Sequence, residues 1–286
     1  VGRGIESAIS FTEKTGLRPV SGGLSSFLSK GPEPCSHAIV AVGVEKLAET
    51  TKALLKYGIK NILVEKPAGL NKEEIESVAK LTKEKNENVF VAYNRRFYAS
   101  VLKTKEIIKA DGSIISFNFE FTEWSHKIGK LKIAPGVKEN WFLSNSTHVV
   151  DLAFYLGGMP VKISTYVSGG LDWHPSASIF SGAGVSEKGA LFSYQANWES
   201  AGRWSVEMLT KAHRLILCPM EKLQIQKRGS VKIDFDENID YSFDKKFKPG
   251  LYRQTECFIN NKYDQLLGIK QHANMLKYYN LISKYK

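Results

Sequence analysis

Cysteine is scarce. Cys35, Cys218 and Cys257 are the only three in 286 residues, far apart and odd in number. No CxxC pair exists, so neither a zinc site nor a disulfide framework is supported, and no metal is expected. Separate thiols fit reduced side chains in a cytoplasmic protein. No apolar run reaches the roughly 20 residues that a membrane-spanning helix needs. The amino terminus, Val1-Gly2-Arg3-Gly4, is not a secretory signal. Internal repeats and low-complexity segments are missing. No run interleaves basic with aromatic residues on a recognisable nucleic-acid fold. Neither a membrane nor a nucleic acid is therefore an expected partner.

What is there suffices for a real core. Hydrophobic residues make up 43% of the chain and charged residues 24%, which excludes a disordered chain. The length allows two domains. The formal charge of +11 favours acidic ligands such as phosphates and nucleotides. Most lysines are spread along the chain, however, and read as a solvated surface.

The first third alternates strand and helix. Ala38 to Val42, Asn61 to Val64 and Val89 to Tyr93 are short β-branched, apolar runs, read as buried strands. Val44 to Tyr57 reads as a helix stopped by Gly58. Asn71 is placed to cap a second helix, with Glu74 at the capping-box position and Ile75, Val78, Ala79 and Thr82 at helical spacing. Alternation of this kind predicts right-handed parallel crossovers. Past about residue 112 the period changes to two. Ile115, Phe117, Phe119 and Phe121 alternate with Ser116, Asn118 and Glu120, and Ala190 to Trp198 repeats the pattern. Segments near 161–168, 204–210, 214–218 and 222–235 also read as strands. A helix over Ser146 to Leu156 precedes most of them, and helices follow from Gly250.

Two of the parallel runs end abruptly in charge: Ile62-Leu63-Val64-Glu65-Lys66-Pro67, and Val89 onward into Tyr93-Asn94-Arg95-Arg96-Phe97. Open α/β sheets bind ligands beyond the carboxyl ends of their strands. Two strands delivering polar groups there mark a site.

These residues resemble the Gfo/Idh/MocA family of NAD(P)-dependent oxidoreductases. The resemblance rests on Glu65-Lys66-Pro67, on Tyr93 to Phe97, and on His148-Val149-Val150-Asp151 opening a helix, in that order and spacing. It covers nearly the whole chain. It implies an α/β fold with a Rossmann-like doubly wound parallel sheet over residues 1–95. An α+β domain with a large, open, mainly antiparallel sheet would follow over 96–286. A strand and GxGxxG turn should begin such a unit, and none is read before Ala38. Val1 to Ser7 looks instead like the end of the second strand and the turn after it. The first strand and its glycine loop are thus expected to be missing, and the chain to start downstream of the native beginning.

The resemblance also implies roles. Lys66 would hydrogen-bond the substrate oxygen and stabilise alkoxide character during hydride transfer, where otherwise it would be a surface lysine pairing with Glu65. His148 would be the second acid/base. Its usual companion, an aspartate four residues earlier, is here Ser144, beside Asn145. Asp151 shares the helical face of His148 and could orient the ring or the helix. Glu65, Pro67 and Asn94 would line the cofactor, and Arg95, Trp124, Trp141, Asn145 and His148 the substrate. An ion pair for either arginine and core packing for the tryptophans are the plainer alternatives. Arg3, at a second-strand end, would favour a 2′-phosphate and so NADP over NAD, or else is an exposed turn residue. Gly43 admits close backbone approach or simply a tight turn.

The expected function is NAD(P)-dependent hydride transfer at a hydroxyl or keto carbon of a sugar, sugar nucleotide or cyclitol, with a homodimer or homotetramer plausible. One rival is a catalytically weak cofactor-binding sensor or scaffold, favoured by Ser144. Another is a reductase of a non-sugar such as a tetrapyrrole or an imine.

Overall fold

Valine-rich strands build the first sheet. In the computed structural model, which describes residues 1–285, β1 (His37–Val40), β2 (Asn61–Glu65) and β3 (Asn88–Ala92) lie side by side and parallel. Their register aligns Val40 with Val64 and Val64 with Val91, so the three carboxyl ends open on one edge. Helices α1 (Ile5–Thr15) and α2 (Gly23–Leu28) precede them, and α3 (Leu47–Tyr57) and α4 (Lys72–Lys85) form the crossovers. Gly58 ends α3 in the left-handed conformation. Asn71 Oδ1 accepts the Glu74 amide at 3.0 Å. Glu74 reaches back one residue further than a capping box, accepting the Leu70 amide at 2.7 Å. Ile75, Val78 and Thr82 are the buried face of α4.

The second sheet is larger and mostly antiparallel. After α5 (Ala99–Asp111) come β4 (Ser116–Glu120), α6 (Ser125–Ile128), a π-helical turn (Phe142–Ser146) and α7 (Thr147–Gly157). Strands β5 (Pro160–Ser168), β6 (Ile179–Ser186), β7 (Leu191–Asn197), β8 (Ser205–Leu209), β9 (His213–Leu217), β10 (Gln224–Lys227) and β11 (Ile233–Phe235) follow. The order is β11-β10-β9-β8-β4-β7-β6-β5, with β4 and β7 parallel and the other neighbours antiparallel. Phe117, Phe119 and Phe121 do share a buried face, where Phe117 stacks on Phe192, Phe119 stacks on Tyr194, and Phe154 meets Phe119 edge-on. Burying each such ring is worth about 1.5–3 kcal/mol. Ile115 departs from the alternation at 49% exposed. α5, α7 and α10 cover one face, and Asn118, Glu120, Ser164, Tyr166, Ser193 and Gln195 line a depression on the other.

Strand β6 gave no sequence signal. Its Gly182 and Gly184 break the alternation, for a physical reason. A β-carbon at Gly182 would stand 2.5 Å from the Tyr194 ring, and one at Gly184 would stand 2.6 Å from the Phe192 ring. The aromatic side chains of β7 occupy the room that β6 leaves.

The chain returns to its first sheet at the end. After α8 (Ser242–Lys246) and α9 (Leu251–Ile259), β12 (Leu267–Gly268) pairs antiparallel with β3, and α10 (Ile269–Ser283) packs on α4. Residues 1–95 alone therefore do not complete this sheet.

The amino end also differs from the sequence expectation. Val1 to Ser7 form no strand end. Gly2-Arg3-Gly4 is a turn that opens directly on α1, with Gly4 as its N-cap. The Gly2 amide donates to the Val20 carbonyl and the Gly23 amide to the Gly2 carbonyl, both at 2.9 Å. Gly2, Gly4 and Ser7 follow the Gly-x-Gly-x-x-Gly spacing at the start of a helix, with Ser7 in the third glycine's place. Arg3 stands inside that turn, exposed, beside Gly23. It is not at the carboxyl end of a second strand.

Candidate active site

Lys66 directly follows β2 and is 8% exposed. Its neighbours fix it from both sides. Glu65 Oε2 accepts the Lys66 amide at 3.3 Å. His272 Nε2, on α10, donates to the Pro67 carbonyl at 3.0 Å, and the Lys66–Pro67 peptide is cis. Lys66 Nζ donates to the Ser144 carbonyl within the π-turn. A carbonyl carries no formal charge, so among the described residues the ammonium is buried without a carboxylate in direct contact. Burial pushes its pKa down to about 7, with Arg95 acting in the same direction and Glu123 and Glu65 opposing. Amine and ammonium forms are then both populated near neutrality.

His148 opens α7 beside it, T-shaped against Tyr93 at 5.7 Å and near Trp204 at 6.1 Å. Burial, then Lys66, Arg95 and Lys248, hold its pKa well below the usual range, so the ring is neutral. Asp151 does not orient it. Arg96 Nε and Nη2 grip Asp151 at 2.8 and 2.5 Å, and both side chains are buried. The i, i+3 spacing was right for a shared face, but the arginine reached the carboxylate first. Arg96 is accordingly an ion-pair residue that ties β3's end to α7.

Arg95 behaves differently from its neighbour. Its guanidinium lies 4.6 Å over the Trp204 ring. Among the described residues, Arg95 Nε, His148 Nδ1 and Trp141 Nε1 are buried with no hydrogen-bond partner. Orphaned polar atoms of this kind mark room for a polar ligand. Asn94 is buried, but its Nδ2 donates to the Pro249 carbonyl at 2.9 Å. Trp141 packs edge-on against Trp173. Trp124 is 41% exposed, donates to the Gly202 carbonyl, and is flanked by Lys127 and Arg203 at 4.3 and 4.7 Å. Gly43 leads into a 3-10 turn (Val44–Lys46), where a β-carbon would stand 2.5 Å from the Glu45 carboxylate. Asn145 donates to both oxygens of Glu123.

Glu123, Arg203 and Trp204 belong to this constellation and were not singled out from the sequence. Glu123 lies just past the alternating run of β4, where a charged residue ordinarily reads as the start of a loop. Its burial depends on the π-turn, more than twenty residues away.

The chain's residues fit a dinucleotide. The first amides of α1 have no side-chain cap at Gly4, and glycine on both sides of Arg3 lets an anion approach them. Lys66 stands at the carboxyl edge of the parallel strands.

Residues 1–93 match the family GFO_IDH_MocA, described as an oxidoreductase family with an NAD-binding Rossmann fold. This match makes residues 1–93 a Rossmann domain of the Gfo/Idh/MocA type. No curated protein matches by sequence. Solved structures match over nearly the whole chain. Levoglucosan dehydrogenase in complex with NADH superposes with a TM-score of 0.76 at 17% identity, over 99% of this chain and 86% of that one. A UDP-N-acetylglucosamine 3-dehydrogenase, GnnA, from Acidithiobacillus ferrooxidans gives 0.71 at 12%, over 98% and 86%. The dehydrogenase MviM from Clostridium difficile gives 0.73 at 18%, over 97% and 86%. At these identities the likeness establishes the Gfo/Idh/MocA fold: a parallel Rossmann sheet joined to a large, mostly antiparallel one. The family description supports NAD(H) in the first sheet. Among the described residues no helix is long and apolar enough to cross a membrane, and no His, Cys, Asp and Glu group forms a metal-binding cluster.

Proposed function

We propose that this protein transfers hydride between a nicotinamide and a hydroxyl or keto carbon of a sugar, sugar nucleotide or cyclitol. The observation that carries the reading is the Lys66 amine: buried, at the carboxyl end of a parallel strand, with a pKa near 7. A bound nicotinamide supplies or accepts the hydride. Lys66 holds the substrate oxygen and moves its proton, as amine in oxidation and as ammonium in reduction. His148 Nδ1 is left to bond a second substrate hydroxyl. Arg95, Trp124, Trp141 and Asn145 form the substrate side, with Glu65, Pro67, Asn94 and Gly43 toward the cofactor. NADP(H) is preferred. The segment Leu17 to Gly23 after α1 carries no acid to accept from a ribose diol, and Arg3 and Arg18 supply positive charge nearby in sequence.

We divide the chain at residues 95 and 96, with β12 and α10 returning to the first part. Two copies would pair through the open face of the second sheet. Three free cysteines fit a cytoplasmic setting. The test is cofactor titration by nicotinamide fluorescence, then turnover on a panel of free, phosphorylated and nucleotide-linked sugars. Failure to bind either nicotinamide sinks the reading. The sensor alternative draws on Ser144 and on a His148 without a carboxylate partner. It gains if Lys66→Ala keeps cofactor binding and every measurable function.

A further inference from the structure

One buried carboxylate takes no part in the chemistry above. Glu123 lies three residues past β4 and is 1% exposed. Asn145 Nδ2 donates to its Oε1 and Oε2 at 2.9 and 3.1 Å, and Ser146 Oγ donates to Oε1 at 2.8 Å. Arg203 Nη1 approaches Oε2 at 3.4 Å from a side chain that is half in solvent. The adjoining residue of the same π-turn, Ser144, takes Lys66 through its carbonyl. Residues 144, 145 and 146 therefore grip an ammonium and a carboxylate at once.

We infer that Glu123 is a positioning residue of this active site: through the Ser144–Ser146 turn it governs the protonation of Lys66 and supplies the negative charge that Ser144 lacks. The inference rests on the hydride-transfer reading for its catalytic meaning, and on geometry for the coupling itself. A buried carboxylate is costly unless paired and hydrogen-bonded. The single 3.4 Å contact from Arg203 is long for a charge-assisted bond. The closer donors come from the turn that carries Lys66.

The charged surroundings point the same way. Lys66 is faced by Arg95 after β3, which disfavours its ammonium, and by Glu65 and Glu123, which favour it. His148 on α7 and His272 on α10 are both held neutral at pH 7 by burial. Glu123 is faced by Lys66 and Arg203, with Asn145 and Ser146 as neutral donors, and burial raises its pKa against all four. An amine drawn down and a carboxyl pushed up, held by one turn, are a matched acid–base pair. In alcohol oxidation the Lys66 amine would take the hydroxyl proton, and a bound nicotinamide would supply the hydride acceptor. Glu123 then balances the ammonium until its proton leaves to water.

The test needs no cofactor. The Lys66 titration is followed by the NMR chemical shift of its 13Cε in Glu123→Gln. The midpoint should fall by about one pH unit or more, as removal of a facing charge predicts. Glu123→Asp should restore most of it. The reciprocal variant, Lys66→Met, leaves Glu123 and its donors intact, and the Glu123 carboxyl infrared band should then titrate higher by a matching amount. In active protein the acid limb of the pH–rate profile should move with the Lys66 midpoint. A Lys66 midpoint unmoved in folded Glu123→Gln, or a Glu123 band unmoved in Lys66→Met, overturns the inference. Both changes present with no sugar turned over would uphold the coupling and remove the hydride-transfer reading instead.

Discussion

Two buried clusters of opposite charge meet α7, and they are built differently. In the first, Arg96 and Asp151 close a two-pronged ion pair at 2.8 and 2.5 Å. In the second, Lys66 and Glu123 do not touch. The turn before α7 keeps them apart, and uncharged groups are their nearest partners. The first arrangement satisfies its charges in one geometry and locks β3's end to the helix. The second leaves an amine free to change protonation. Complete pairing makes a strut, whereas incomplete pairing keeps a proton exchangeable.

The comparison can be broken at each cluster. Lys66→Ala should lower turnover by at least about 10²-fold, the usual scale for a positioned acid–base group, with cofactor binding retained. Loss of turnover together with loss of fold would void the contrast. Arg96→Ala should instead unfold the protein more easily, by about 3–5 kcal/mol, because it strands Asp151. Denaturant melts read this directly.

The third prediction concerns the sign of the pH dependence. Lys66 has a folded pKa near 7 against 10.5 for an unperturbed lysine. Between those values the unfolded chain binds the extra proton, so this group's contribution makes stability rise with pH across that window. Below about pH 7 the deficit is fully present. Lys66→Met should therefore stabilise the fold at pH 6 by on the order of 5 kcal/mol, at about 1.36 kcal/mol for each pH unit between the folded and unfolded values. The gain should fade as pH approaches 10. A gain independent of pH would show that Lys66 is not a strained charge. Gly184→Ala in β6, remote from both clusters, should cost about 1–3 kcal/mol by pressing a β-carbon against the Lys162 carbonyl of β5 and the Phe192 ring. The smallest expected effect is Asn71→Ala, about 1 kcal/mol through the lost cap of α4, with the pH dependence of Lys66 unchanged.

Several features were legible because local signals agreed. The β2 run ends on its first charge, Glu65, the β3 run stops three residues before Arg95, and the Asn71 cap lies where its spacing put it. Others were not legible. Gly182 and Gly184 erase the period of β6, since their reason is a ring on another strand. Val1 to Ser7 carry no strand pattern ahead of their glycines, so the turn onto α1 read as something else. Glu123 looks like any loop acid until the π-turn folds over it, and Asp151 could have served either His148 or Arg96.

The sequence by itself determined the parallel strands, the charged edge where they stop, and the presence there of a lysine, an asparagine and two arginines. Period and capping are properties of neighbours along the chain, so they can be read without coordinates. Which arginine is tied down, which carboxylate answers Lys66, and how the last strand completes the first sheet were decided in three dimensions. Each depends on partners tens or hundreds of residues apart, and on burial, which turns an ordinary lysine into one that titrates near neutrality.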